Sequence, residues 1–167
     1  MSTTKRSTRM SDGRELIYFD ESGSTLPADR KPDLREPAPR PAVAEMRLDS
    51  LTGDWISVAA ARHNRAFLPP AHMCPLCPTT DEYQSEIPDT FDVAVFENKS
   101  PSFGPDLADI DNENYAVVPD LKLGSTRASI GRCEVVVFSP AHLGSLADQT
   151  VERVRTIIDA WADRTEE

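Results

Sequence analysis

Long apolar runs are missing from this chain of 167 residues. The longest, Val135-Val136-Val137-Phe138, falls far short of the ~20 residues that cross a bilayer, so no membrane-spanning helix is expected. A basic excess is missing too. The 18 Lys and Arg face 28 Asp and Glu, a formal net charge of −10. A chain of that sign repels phosphate backbones and anionic headgroups, which excludes a generic nucleic-acid binder and a polybasic membrane anchor. Cysteine is scarce and odd in number, three in all, which excludes a disulfide scaffold and suits a reduced, cytoplasmic protein. The N-terminus has basic residues with no apolar stretch behind them, so a secretory leader is not expected. There is no G-x-G-x-x-G, no P-loop, no Ser-His-Asp set and no internal repeat.

What is present reads as globular. The chain is 39% hydrophobic and 28% charged, near the averages for folded domains, and long enough for one domain with a core. The charge is uneven. Residues 1–45 carry eight basic and eight acidic side chains, whereas residues 46–167 carry ten and twenty and hold the whole excess. Five prolines fall between Leu26 and Pro41, each removing a backbone donor. Residues 1–45 therefore read as a Pro-rich, mostly extended arm, with Arg14–Asp20 a short apolar island suited to a strand or a docked segment.

Beyond residue 45 the punctuation predicts strands. Leu51-Thr52-Gly53-Asp54 is a turn signal before a strand at Trp55–Val58. Phe91–Glu97 reads as a strand with Phe91, Val93 and Val95 on one face and Asp92, Ala94 and Phe96 on the other. Tyr115–Val118 is another candidate, and Cys133–Phe138, rich in β-branched residues, is the strongest. Val151, Val154, Ile157, Ile158 and Trp161 recur with helical period behind an N-cap at Thr150. Strands followed by a helix indicate an α+β arrangement of antiparallel strands.

Several groups are suited to chemistry. Cys74-Pro75-Leu76-Cys77 has knuckle spacing, and two thiolates supply half of a tetrahedral zinc site. A redox pair or two unrelated thiols are the alternatives, and the surrounding prolines disfavour the redox form. Among His63, His72 and His142, the last sits just past the strong strand, where a loop can turn it back toward the knuckle. Arg62 and Arg65, three apart, suit either a phosphate or solvent. Asn98 and Ser100 end a strand and suit a sugar hydroxyl or a turn. Cys133 reads as a buried structural thiol.

Together, these pieces resemble the N-terminal half of the galactose-1-phosphate uridylyltransferase family, in the HIT-like superfamily. The resemblance rests on Leu51-Thr52-Gly53-Asp54-Trp55-Ile56, Arg62 with Arg65, Cys74-Pro75-Leu76-Cys77-Pro78, Val95-Phe96-Glu97-Asn98 and the run from Gly131 through Cys133 to His142. Asp159-Ala160-Trp161 also matches, and Asp12–Asp20 is similar to the actinobacterial type. The resemblance implies a HIT-like half-barrel of antiparallel strands with flanking helices, N-terminal half only, with residues 46–167 as a uridylyltransferase domain truncated before a His-Pro-His motif.

The implied activity moves UMP between UDP-glucose and galactose 1-phosphate, in the Leloir pathway of galactose metabolism, through a uridylyl-histidine. His63, His72 and His142 do not form the His-Pro-His motif that carries the nucleophile. No catalytic residue is therefore expected here, and the chain would be inactive without a complementary C-terminal half. By position, Cys74, Cys77 and His142 match three ligands of a structural Zn²⁺ whose fourth is a His of that half. Iron is a candidate at a second site there. Arg62 and Arg65 match substrate-phosphate contacts and Asn98 a uridine-nucleotide contact. Lys99 takes the adjoining substrate position, where some members carry an acidic residue. The implied partners are UDP-glucose, galactose 1-phosphate and the complementary half, with a dimer as a further expectation and neither nucleic acid nor membrane. A non-catalytic zinc-binding remnant of a split or frameshifted gene is the alternative, and a zinc-knuckle interaction module with an acidic face the third.

Overall fold

The computed structural model describes residues 3–38, 44–62, 68–104 and 124–167. Its strands are β1 (Thr4–Arg9), β2 (Glu15–Asp20), β3 (Glu45–Leu48), β4 (Trp55–Val58), β5 (Val93–Glu97), β6 (Thr126–Ala128) and β7 (Glu134–Val137), followed by the helix α1 (Val151–Glu166). The arrangement is α+β, as expected. The chain divides into two compact units: described residues 3–38, 68–97 and 135–167 form one, and 44–62, 98–104 and 124–134 the other.

The first unit is a four-stranded sheet in the order β1-β2-β5-β7. β1 and β2 form an antiparallel hairpin from Thr4↔Asp20 to Arg9↔Glu15, and β2 runs antiparallel to β5 from Leu16↔Phe96 to Phe19↔Val93. The hairpin turns at Gly13, whose φ of 85° is left-handed. An added Cβ there would meet nothing within 4 Å, so backbone conformation rather than space calls for glycine. The apolar island at 14–20 is thus a strand, and a central one. β1 was not expected: Thr-Lys-Arg-Ser-Thr-Arg has no apolar alternation, because it is an edge strand whose side chains meet solvent.

Both faces of β2 and β5 are buried. Leu16, Tyr18, Ala94 and Phe96 pack with Met10, Ile87 and Phe91 on one face. Ile17, Phe19, Val93 and Val95 pack with Ile157 and Ala160 of α1 on the other. Phe91 departs from the expected alternation. It lies before the strand starts at Val93, so its side chain joins the Ala94 and Phe96 face. Tyr115–Val118 lies outside the described residues.

α1 starts at its expected cap, where the Thr150 hydroxyl accepts from the Arg153 N–H at 3.1 Å. Its buried face differs from the expected stripe. Thr156, Ile157 and Ala160 face the sheet, while Val151, Ile158 and Trp161 are exposed. A small residue at 160 lets the helix approach the sheet closely, and the bulky side chains are turned outward.

A buried ion network ties loops to this sheet. The Arg14 side chain is 0% exposed; it pairs with Asp12 at 2.8 Å and with Glu86, and Nη1 donates to the Glu97 carbonyl at 2.7 Å. Arg35 pairs with Glu86 at 3.0 Å and with Asp33 at 2.8 Å. Burial pushes the Asp33 carboxyl up, but the Arg35 guanidinium and the N–H groups of Ser11 and Arg35 outweigh it and hold Asp33 below its ordinary range.

The second unit is a three-stranded sheet in the order β4-β3-β6. β3 pairs antiparallel with β4 from Glu45↔Val58 to Leu48↔Trp55, and with β6 from Glu45↔Ala128 to Arg47↔Thr126. The expected turn is present: Gly53, at φ 77°, donates to the Asp49 carbonyl at 2.8 Å. The Arg127 guanidinium lies 4.3 Å from the Trp55 ring centre.

Two outcomes follow. R14M leaves buried Asp12 without its cation and Glu86 with Arg35 alone, and should cost about 3 kcal/mol in urea unfolding; a change near zero would refute the network's role. D33N should blunt the acid limb of stability. Asp33 binds its proton more weakly folded than unfolded, so its contribution is complete above the ordinary Asp value, ~3.9, and is lost progressively as pH falls from there toward the lower folded-state value. Parallel acid limbs for the two proteins, measured by unfolding between about pH 2 and 6, would contradict this.

Candidate functional site

The cysteine knuckle is held by short backbone bonds. A 3₁₀ turn at Ala71–Met73 enters it, with the Cys74 N–H donating to the Ala71 carbonyl at 3.2 Å. Behind it, the Glu86 N–H donates to the Pro75 carbonyl at 3.0 Å, and the Thr79 N–H donates to the carbonyl of the fully buried Ile87 at 2.8 Å. The knuckle is therefore anchored to the core of the first unit. His142 is exposed and lies in the loop that leaves β7. That loop is shaped locally: the Ser139 hydroxyl accepts from the Ala141 N–H at 3.1 Å, and Ser145 and Asp148 form a reciprocal cap.

The Sγ atoms of Cys74 and Cys77 and a ring nitrogen of His142 lie within 4.8 Å of one another. Cys77 Sγ and His142 Nδ1 are 3.5 Å apart. Zn–S and Zn–N bonds of tetrahedral zinc set a sulfur and a nitrogen ligand about 3.6 Å apart, so the donor set fits in both spacing and softness. Three protein donors leave a tetrahedral ion one position to fill. Burial, reinforced by the neighbouring Cys74 thiol, pushes Cys77 up to about 11. The thiol is thus protonated at neutral pH until a metal displaces the proton. A cleft of about 310 Å³ opens beside the cluster, walled by Leu76, Val136, Phe138 and Leu143. These walls were not singled out from the sequence, where they read as ordinary core and loop residues.

Of the expected substrate residues, Arg62, Asn98 and Lys99 are described, in the second unit; Arg65 lies outside the described residues. Arg62 ends a 3₁₀ turn and donates from Nη1 to the Ser100 carbonyl at 3.3 Å. The Asn98 Oδ1 accepts from the Ser100 N–H at 3.0 Å. The Ser100 backbone thus meets both Arg62 and Asn98, and the half-buried Lys99 lies between Asn98 and Ser100. The Asn98 N–H donates to the Cys133 carbonyl at 2.8 Å. Cys133, expected as a buried thiol, is half-buried and immediately precedes β7.

Zinc affinity should rise with pH between about pH 6 and 8, by about tenfold per unit for each thiol proton displaced. Competition against a chromophoric chelator measures it, and a flat profile would show that Cys77 is not a ligand.

Residues 33–167 match the family model for galactose-1-phosphate uridyl transferase, N-terminal domain. The galactose-1-phosphate uridylyltransferase of Streptomyces lividans is 38% identical over 98% of this chain and 39% of its own length. The enzyme of the same name from Thermotoga maritima is 30% identical over 72% of this chain and 35% of its own length, and that of Rattus norvegicus 29% over 73% and 34%. The chain thus spans under two fifths of the length of these curated relatives. No solved structure gives a significant match. A family match over residues 33–167, on a chain whose described part brings Cys74, Cys77 and His142 together, makes this chain a member of the galactose-1-phosphate uridyl transferase family across that family's N-terminal domain.

Proposed function

We propose that this chain is the N-terminal part of a UDP-glucose–hexose-1-phosphate uridylyltransferase working in the cytoplasm. It would move UMP between UDP-glucose and galactose 1-phosphate. The observation that carries this reading is the placement of Cys74, Cys77 and His142 within ligand range of one another, inside the stretch matched by the family model.

In this reading the nucleophilic histidine comes from the C-terminal part of the enzyme, on this or on a second polypeptide. Its ring nitrogen attacks the α-phosphorus of UDP-glucose, the bond to the bridging oxygen breaks, and glucose 1-phosphate leaves. A phosphate oxygen of galactose 1-phosphate then attacks the uridylyl-histidine, releasing UDP-galactose and the free histidine. Arg62 and Arg65 neutralise phosphate oxygens through charge-assisted hydrogen bonds, and the Asn98 amide and Lys99 hold the uridine side. Zinc, when bound to Cys74, Cys77, His142 and a fourth ligand from the C-terminal part, would fasten the knuckle to the loop after β7. The two sheets would belong to a HIT-like half-barrel completed by that part. The exposed Val151, Ile158 and Trp161 of α1 offer apolar surface for it to cover.

The chain alone should form no UDP-galactose in a coupled assay, because removing a covalent nucleophile costs several powers of ten. Co-expression with a chain carrying the His-Pro-His part should restore turnover. No turnover in the mixture would favour a non-catalytic zinc-binding remnant, and robust turnover by the chain alone would overturn the proposal.

A further inference from the structure

The histidine that completes the metal cluster sits in a loop of its own, residues 139–149, between the end of β7 and the cap of α1. Such a loop leaves a ligand at its middle mobile unless both ends are fixed, since closing its ends carries an entropic penalty. Both ends meet at one residue. The Arg153 N–H donates to the Thr150 hydroxyl at 3.1 Å, where the loop runs into α1. Its guanidinium reaches back across the sheet end and donates from Nη1 to the Phe138 carbonyl at 3.3 Å, where the loop begins.

The guanidinium is itself immobilised. Nη2 donates to Asp92 Oδ1 at 3.0 Å, Nη1 to the Asp92 carbonyl and Nε to Glu21. The Glu21 N–H in turn donates to Asp92 Oδ2 at 3.0 Å. The residues just beyond β2, just before β5 and just after β7 are thereby gathered on a planar donor fork that stands largely out of solvent, 15% exposed. Arg's fixed fork makes these bonds together; a lysine ammonium, a point donor on a flexible stem, cannot reproduce them. Phe138 also lines the cleft beside the cluster, so the carbonyl held by Arg153 lies at the root of the segment carrying His142.

The geometry points to Arg153 as a positioning residue for the metal centre: it closes the 139–149 loop and so presents His142 to the thiols of Cys74 and Cys77. It touches none of the ligands. The inference rests on the reading of those three residues as a metal centre, not on the transferase chemistry.

Co²⁺ titration of the whole chain tests it, followed through the thiolate-to-cobalt absorption band in the wild type, R153M, H142A and the double variant. R153M should weaken Co²⁺ binding by about tenfold, the low end for residues that orient ligands from outside the first sphere. In the H142A background the same change should weaken it less than about twofold, because there is no histidine left to position. Equal losses in both backgrounds would mean that Arg153 merely stabilises the fold, and an unchanged affinity in R153M would also overturn the inference. R153K, which keeps the charge but not the fork, should repeat the coupling and carries the test if R153M does not fold. A wild-type chain that takes up no Co²⁺ would overturn the metal centre and this inference together; failure of uridylyl transfer alone would leave the cobalt result standing.

Discussion

Leu16, Ile17, Tyr18, Phe19 and Asp20 are all shut off from solvent, and a strand in that position needs cover on both faces and partners on both edges. Each requirement accounts for another part of the first unit. β1 and β5 take the edges. Met10, Ile87 and Phe91 cover one face, and Ile157 and Ala160 the other. Asp20 is the polar exception at the strand's end, and both Arg6 and Arg30 pair with it. A buried carboxylate is tolerable only when paired in this way.

Much of this was legible because apolar side chains in a short run have few places to go. The island at 14–20, the turn before Trp55, the Val135–Val137 run and the Thr150 cap are local signals, and the structure places an element at each. β1, β3 and β6 were not legible. β1 is polar throughout and β3 and β6 are only four and three residues long, so each depends on pairing with a neighbour, which no local pattern records. The outward face of α1 was misread for a related reason. Periodicity showed a stripe of large apolar residues, but the sheet takes a close-packed helix through Thr156, Ile157 and Ala160, and size alone does not reveal which stripe is buried.

At the site, short-range chemistry was readable and long-range anchoring was not. Two thiols with knuckle spacing announce themselves, and a histidine beyond a strand end completes the set. What fixes them is distant in sequence: the Pro75 carbonyl held by Glu86, and the knuckle's exit bridged to buried Ile87. Arg153 stands in the sequence as one of several charges within the helix. Nothing in the residues around it signals bonds to Glu21 and Asp92, well over a hundred and about sixty residues away in sequence.

The first unit is assembled from three stretches that lie far apart in sequence. The hairpin of β1 and β2 is made before the rest of its sheet: Val93 and Val95 follow some seventy residues later and Ile157 and Ala160 later still. At ribosomal speeds of about 5–20 residues per second, the apolar faces of β2 wait on the order of ten seconds for their cover. During that wait the hairpin is an amphipathic ribbon with an open edge. The Lys and Arg side chains of β1, and the carboxylates that close each end of β2, then act as gatekeepers that keep neighbouring nascent chains from pairing with it.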